Sequence, residues 1–198
     1  MKFLKFTITF ALLLVANFYV IGKSIDDRIK SNETVELPSI SLSSESANRF
    51  NSFELKGHST KSIDDLTEAF FDVANLKKIF PLVDKIEVLA KDDNEMTLHI
   101  DFDLPFPLKD RCIYVVIKKE VISKNETIVT ITDITPVGSK KCRKKLFNQF
   151  DSTISIQSVD NETTVTQNIY LDPGGKIPAS LFNSKLEEEL PKLLASIL

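Results

Sequence analysis

The alternation of apolar and polar residues divides the chain into three stretches. The first, Phe6 to Gly22, is uncharged throughout, most apolar from Phe10 to Val15, and follows a short basic start at Lys2 and Lys5. The second, Lys23 to Asn48, is rich in Ser, Asp and Glu and weakly periodic, so it reads as a tail or linker. Within it, Ser39 to Ser43 predicts a first strand, because Ile40 and Leu42 alternate with serines. The third stretch, from Arg49 to the C-terminus, is ordered. Arg49 to Gly57 places Phe53, Leu55 and Gly57 on one face and Glu54, Lys56 and His58 on the other, the period of a strand. Lys61 to Ala74 predicts a helix. Ser62 stands at the N-cap, Asp64 and Asp65 fall in the first turn, and Ile63, Leu66, Phe70 and Val73 form one stripe. A short turn from Leu76 to Phe80 stops at Pro81.

Strands follow. Lys85 to Ala90 and Glu95 to Leu104 are joined by Lys91-Asp92-Asp93-Asn94, a turn-rich tetrapeptide. In the second, Met96, Leu98, Ile100 and Phe102 alternate with Thr97, His99, Asp101 and Asp103, which predicts one dry face and one wet. Arg111 to Val121, Glu126 to Ile134, Lys145 to Gln157 and Thr163 to Leu171 complete the series. The turns at Ser123 to Asn125 and Asp160-Asn161 predict antiparallel hairpins. From about Ile177 to Leu198 the spacing becomes helical again: Phe182, Leu186, Leu190, Leu193 and Ile197 form one continuous stripe. Pro191 inside it costs about 3 kcal/mol, so packing must hold the helix together. A long amphipathic helix needs an apolar surface, and a sheet with one dry face supplies it. The predicted fold is therefore α+β: a curved antiparallel sheet wrapped around a long C-terminal helix.

Composition narrows the class. The chain has 198 residues, 42% of them hydrophobic and 27% charged, an ordinary globular balance. Its net charge of −3 does not suggest nucleic acid as the main partner. Two cysteines cannot make a disulfide-dense scaffold or a four-Cys zinc site. The basic start, the apolar run and small residues at Val20 and Gly22 before Lys23 are the parts of a secretory signal peptide. The rival is an uncleaved anchor, although the run falls short of the roughly 20 residues a spanning helix takes. Cleavage would remove Lys2 and Lys5, move the charge from −3 to −5 and deliver the rest to a secreted or periplasmic location. The expected organisation is residues 1–22 as signal peptide, 23–48 as tail and 49–198 as one domain.

Two motifs stand apart from the periodicity. One is Asp103-Leu104-Pro105-Phe106-Pro107-Leu108-Lys109-Asp110-Arg111. The other is Tyr170-Leu171-Asp172-Pro173-Gly174-Gly175-Lys176-Ile177-Pro178, followed by Leu181, Phe182 and Asn183. From Arg49 to Leu198 their order and spacing resemble the lipid-transfer domains related to the steroidogenic acute regulatory protein (START domains), in particular short exported bacterial ones. The resemblance implies the helix-grip fold, with a bent sheet enclosing a tunnel lidded by the C-terminal helix. It makes Leu104 to Asp110 and Pro136 to Lys145 the loops at the tunnel mouth, and it implies binding, with transfer as an extension, of one hydrophobic molecule. The chain departs from the family pattern in its N-terminal strand region, which is barely recognisable, and in three further places. Phe106 stands where the first loop usually has Trp. Cys112 replaces the acidic residue that usually follows the Arg. The run Ala179-Ser180-Leu181 replaces a Trp.

Candidate chemistry is sparse. Asp-Pro-Gly-Gly is a turn: Pro173 ends the strand, and Gly174 and Gly175 permit positive φ. His58 and His99 each sit among charged neighbours on a wet face and read as solvated. No metal-ligand set, cofactor motif or catalytic constellation is expected. Cys112 and Cys142 are either bridged or free and buried. Their strands would both neighbour Glu126 to Ile134, and strands two apart lie about 9 to 10 Å from each other, so a bridge requires the second loop to fold back. Lys140, Lys141, Arg143, Lys144 and Lys145 form a basic cluster that is either a docking patch for anionic lipid headgroups or a solvated loop. Asn32, Asn125 and Asn161 each begin a glycosylation sequon.

Three functions remain. The first is a non-enzymatic lipid-binding module, a monomer without cofactor. Its inner face is Met96, Leu98, Ile100, Phe102, Ile113, Val115, Phe150, Ile154, Val165, Ile169, Phe182 and Leu186, with Phe106 as a wedge at the mouth and Ser152 and Gln167 as polar anchors. The second is a cyclase-like or hydrolytic enzyme using the same cavity, for which the inward pattern supplies almost no titratable group. The third is an envelope protein with a closed core that contacts partners.

Overall fold

The computed structural model describes residues 37–44, 49–79, 83–103, 109–135, 142–160 and 162–198. The proposed signal segment, Phe106, the first loop from 104 to 108, Asn161 and the basic pair Lys140-Lys141 lie outside these residues.

The described strands are β1 (Ser39–Ser44), β2 (Ser52–Ser59), β3 (Val83–Lys91), β4 (Glu95–Phe102), β5 (Arg111–Ser123), β6 (Glu126–Asp133), β7 (Lys145–Leu146), β8 (Gln149–Val159) and β9 (Glu162–Asp172). They form one sheet in the order β1-β2-β9-β8-β6-β5-β4-β3. Every pairing along that path is antiparallel. The helices are α1 (Ile63–Phe71), α2 (Val73–Ile79) and α3 (Ala179–Ala195). This is the expected α+β helix-grip: α3 lies against β2 and β1, and α1 lies against β6 and β8.

The predicted helix over 61–74 is divided. Ser62 caps α1 as expected, its hydroxyl accepting the Asp65 N–H at 3.1 Å. Asp72 then turns extended, at φ −90° and ψ 105°, and its carboxylate accepts the Ala74 N–H at 2.8 Å. Asp prefers such a cap to a helix interior, so one helix becomes two. The predicted strand over 145–157 is divided as well. Phe147 and Asn148 separate β7, which runs parallel to β5, from β8, which pairs with β6. The first strand, placed by its sequence in the tail, joins the domain's sheet through β2.

The concave face follows the period-2 pattern. Met96, Leu98, Ile113, Val115, Ile117, Val129, Ile154, Ile156 and Val165 are buried there with Leu66, Phe70 and Phe71 of α1 and Leu190 and Leu194 of α3. Residues on the stripe predicted for the last helix thus bury Pro191 against the sheet and hold its backbone in place.

Both ends of α3 are tied to β2 and its flanks. At the C-terminus, Ser59 Oγ donates to the Leu198 carbonyl at 2.9 Å and Lys61 Nζ to the Ile197 carbonyl at 2.7 Å. These satisfy carbonyls that a helix end leaves open. Gly57 faces the same place. A side chain there would run into Leu198 and into Pro38, whose Cγ would lie 3.1 Å from the added Cβ.

Candidate functional site

The site begins at the Asp172-Pro173-Gly174-Gly175 turn. Gly174 and Gly175 have φ of 69° and 79°, as the motif requires. Asp172 Oδ1 accepts the Gly174 N–H at 2.7 Å. Two arginines hold the turn. Arg111, only 4% exposed, donates from Nε to the Pro173 carbonyl at 3.0 Å and from Nη1 to the Lys109 carbonyl at 2.6 Å. Arg49 donates to the carbonyls of Gly175, at 2.6 Å, and Ile177. Burial pulls the Arg111 guanidinium below its ordinary value. With Cys112 in place of an acidic neighbour, backbone carbonyls take the guanidinium's donors. The Asn51 N–H also donates to Asn183 Oδ1 at 3.2 Å, which fixes the start of α3 against β2.

These contacts aim α3 across the concave face, and burial along that face is graded. At the end where β4 begins and β8 finishes, Met96, Leu98, Ile154 and Val165 are fully covered. At the opposite end, where α3 starts, coverage falls. Ile100 and Phe102 of β4, Ile131 of β6, Phe150 of β8, Ile169 of β9 and Leu186 of α3 are only partly buried against the core. Phe102 meets Phe147 edge-on at 5.2 Å. β4 ends at Phe102 and β6 at Asp133, at this same end. Among the described residues, this is the less covered end of the concave face.

The structure divides the sequence-predicted lining into two groups. Met96, Leu98, Ile113, Val115, Ile154 and Val165 form the packed floor, while Ile100, Phe102, Phe150, Ile169 and Leu186 form a partly buried rim. Phe182 packs edge-on against Phe50 at 5.2 Å. Ser152 and Gln167 come together at the boundary, where Gln167 Nε2 donates to Ser152 Oγ at 2.9 Å. Ser152 is 1% exposed and Gln167 partly exposed, so the amide marks the polar point of an apolar wall.

The expectation of an interior almost free of titratable groups is corrected by Arg111 and by Glu189. Glu189 is 3% exposed on α3, and its Oε2 has no hydrogen-bond partner among the described residues. Burial raises its carboxyl above the usual range, opposed by Lys192, whose Nζ lies 3.2 Å from Oε1. The signal was present in the spacing, since Glu189 falls three residues after Leu186 and four before Leu193, on the apolar stripe itself.

The cysteines are bridged, with Cα atoms 6.5 Å apart. The geometric objection disappears because β7 sits directly beside β5, Cys112 opposite Leu146. The described end of the second loop, from Cys142 to Lys144, lies beside β5, and Lys144 Nζ reaches Asp84 Oδ2 of β3 at 3.6 Å. Lys144 is thus engaged rather than solvated.

No family model matches the chain, and no curated protein does. Solved structures match closely in shape. A STAR-related lipid transfer protein from Xanthomonas axonopodis superposes with TM-score 0.67 at 18% identity, covering 81% of this chain and 97% of that one. Human STARD10 superposes with TM-score 0.67 at 15% identity, covering 87% and 75%. The Zhui aromatase/cyclase from a Streptomyces species superposes with TM-score 0.51 at 12% identity, covering 74% and 90%. The chain therefore has the START helix-grip fold, a fold found in proteins named for lipid transfer and in one named for cyclisation.

Proposed function

We propose that the chain binds one hydrophobic molecule, a lipid or a compound of similar character, between the rim of the sheet and the first turns of α3, and that it performs no chemistry on it. The observation that carries this reading is the gradient of burial. A floor of covered apolar side chains gives way to a rim of partly buried ones, with a hydrogen-bonded pair, Ser152 and Gln167, at the boundary. Apolar walls with a few polar points are how small hydrophobic ligands are held. The match in fold to proteins named for lipid transfer supports the same reading.

Export belongs to this proposal. It rests on the basic start and apolar run before Lys23, and the Cys112–Cys142 bridge agrees with an oxidising compartment. Docking to an anionic membrane through the 140–145 loop is a further part of it, and liposome binding that ignores anionic lipid content and salt would remove that part.

A second reading, cyclase-like or hydrolytic chemistry, is favoured by Glu189, a buried carboxyl with a raised pKa. Native mass spectrometry of the purified protein, with extraction of whatever accompanies it, separates the two. A stoichiometric hydrophobic companion supports binding. An empty chain that turns over a polyketide-like substrate supports catalysis.

A further inference from the structure

On the convex face of β4 and β5, four side chains converge that have no part in the apolar concavity. The register pairs Asp101 with Cys112 and His99 with Tyr114, whereas Met96, Leu98, Ile100 and Phe102 point the other way. This face was expected to be wet. Instead the side chains of His99 and Asp101 are only 15% and 18% exposed and Cys112 is fully buried. One ligand atom from each of His99, Asp101, Cys112 and Cys142 lies within 4.8 Å of all the others. The His99 ring is held in a stack on Tyr114, with centroids 4.5 Å apart and planes 18° apart. Its Nε2 stands 3.5 Å from Asp101 Oδ1 yet is buried without a hydrogen-bond partner among the described residues.

We propose that these four residues form a zinc site that becomes available when the Cys112–Cys142 disulfide is reduced, so that one cluster serves as a covalent staple in one redox state and as a metal staple in the other. Two thiolates, an imidazole and a carboxylate are four donors of the kinds zinc takes in tetrahedral sites. A dithiol reductant supplies two electrons and two protons. The Cys112 Sγ–Cys142 Sγ bond breaks, two thiols form and the dithiol closes to its own disulfide. Zn²⁺ then displaces the two thiol protons to solvent and accepts a lone pair from each sulfur, from His99 Nε2 and from a carboxylate oxygen of Asp101. With Zn–S bonds of about 2.3 Å the two sulfurs would stand about 3.8 Å apart, a separation that side-chain rotation reaches.

The Lys144 N–H donates to Cys142 Sγ at 3.2 Å. In either state the bond network ties the returning loop to β4 and β5, so the arrangement keeps the loop in place when the disulfide opens.

The test uses the full chain, reduced with a phosphine that is then removed under inert gas and titrated with Zn²⁺ against a chromophoric chelator, and separately with Co²⁺. The expected result is one zinc per reduced chain, a cobalt spectrum with thiolate charge-transfer and tetrahedral bands, and at least tenfold weaker binding by the oxidised chain. His99→Ala leaves the disulfide untouched, so its fold is checked in the oxidised form. Its reduced form is expected to lose at least the roughly 10–100-fold in affinity that removal of a ligand's outer partner costs. Failure of the reduced chain to take up zinc would overturn the proposal. So would zinc binding that His99→Ala leaves unchanged, the behaviour of two thiols in a disordered chain.

Discussion

The Arg111 guanidinium donates to the Pro173 carbonyl at 3.0 Å, tying the first residue of β5 to the turn that launches α3, 62 residues later in the chain. The same side chain reaches the Lys109 carbonyl, so one residue fixes both the strand's entry and the helix's direction. Arg111→Ala should lower stability by about 2 to 3 kcal/mol, the range for charged hydrogen bonds plus the carbonyls they leave behind. Arg111→Lys should recover little, because an ammonium cannot serve two divergent carbonyls as a planar fork does. Chemical denaturation of both variants checks this. A lysine variant as stable as wild type would mean that charge, not geometry, matters.

Gly174 adopts φ of 69°, and a Cβ there would lie 2.7 Å from Asn148 Oδ1. Gly174→Ala therefore meets both a left-handed backbone and a clash. A loss of about 1 to 2 kcal/mol is expected, read as a lowered unfolding midpoint with an unchanged m-value.

The Cys112–Cys142 bridge spans a sequence separation of 30. In metal-free buffer, loop entropy alone predicts that reduction costs about 3 to 4 kcal/mol. Denaturation with and without reductant measures it. A difference below about 1 kcal/mol would show that the reduced ensemble is already held together.

Glu189 gives a pH dependence with a defined sign. Its folded pKa is raised by burial above the ordinary 4.5. Between that value and the raised one, the folded chain binds more protons than the unfolded one, so this group's contribution falls as pH rises through the window. The burial cost is then present above the raised value and absent well below pH 4.5. Glu189→Gln should stabilise the protein at pH 7 and lose that advantage near pH 4. Paired denaturation curves at the two values decide it, and an equal gain at both would locate the effect in packing.

Much of this architecture was readable because its causes are local. Alternation along β4 reports a dry face directly, and Asp172-Pro173-Gly174-Gly175 has little to do but turn. The stripe from Phe182 to Ile197 requires a surface to lie on, and only the sheet offers one. What escaped depends on contacts remote in sequence. Asp72 breaks a helix because its carboxylate finds the Ala74 N–H, in competition with an apolar stripe that continues through Val73. The largely covered position of His99 goes with the bridge that brings Cys142 to Cys112 on the same face, and nothing in the alternation of β4 announces it. The division of the predicted lining into packed floor and partly buried rim goes with where α1 sits, against β6 and β8, with Leu66, Phe70 and Phe71 in the core. Glu189 was visible on the helical stripe, but a lone acid among leucines is easily assigned to the neighbouring solvent face.

The central claim is that the partly buried rim holds a hydrophobic guest. Ile169 lies on that rim, opposite Phe53 and Ser152 in the register. The most direct measurement is the stoichiometry of hydrophobic molecules retained by the wild-type protein and by Ile169→Trp, read by native mass spectrometry on matched preparations that both unfold cooperatively. One guest per wild-type chain and a loss of at least tenfold in occupancy for the variant is the predicted result. Wild-type protein that stays empty after incubation with lipid vesicles, or a variant that retains its guest in full, would contradict the account.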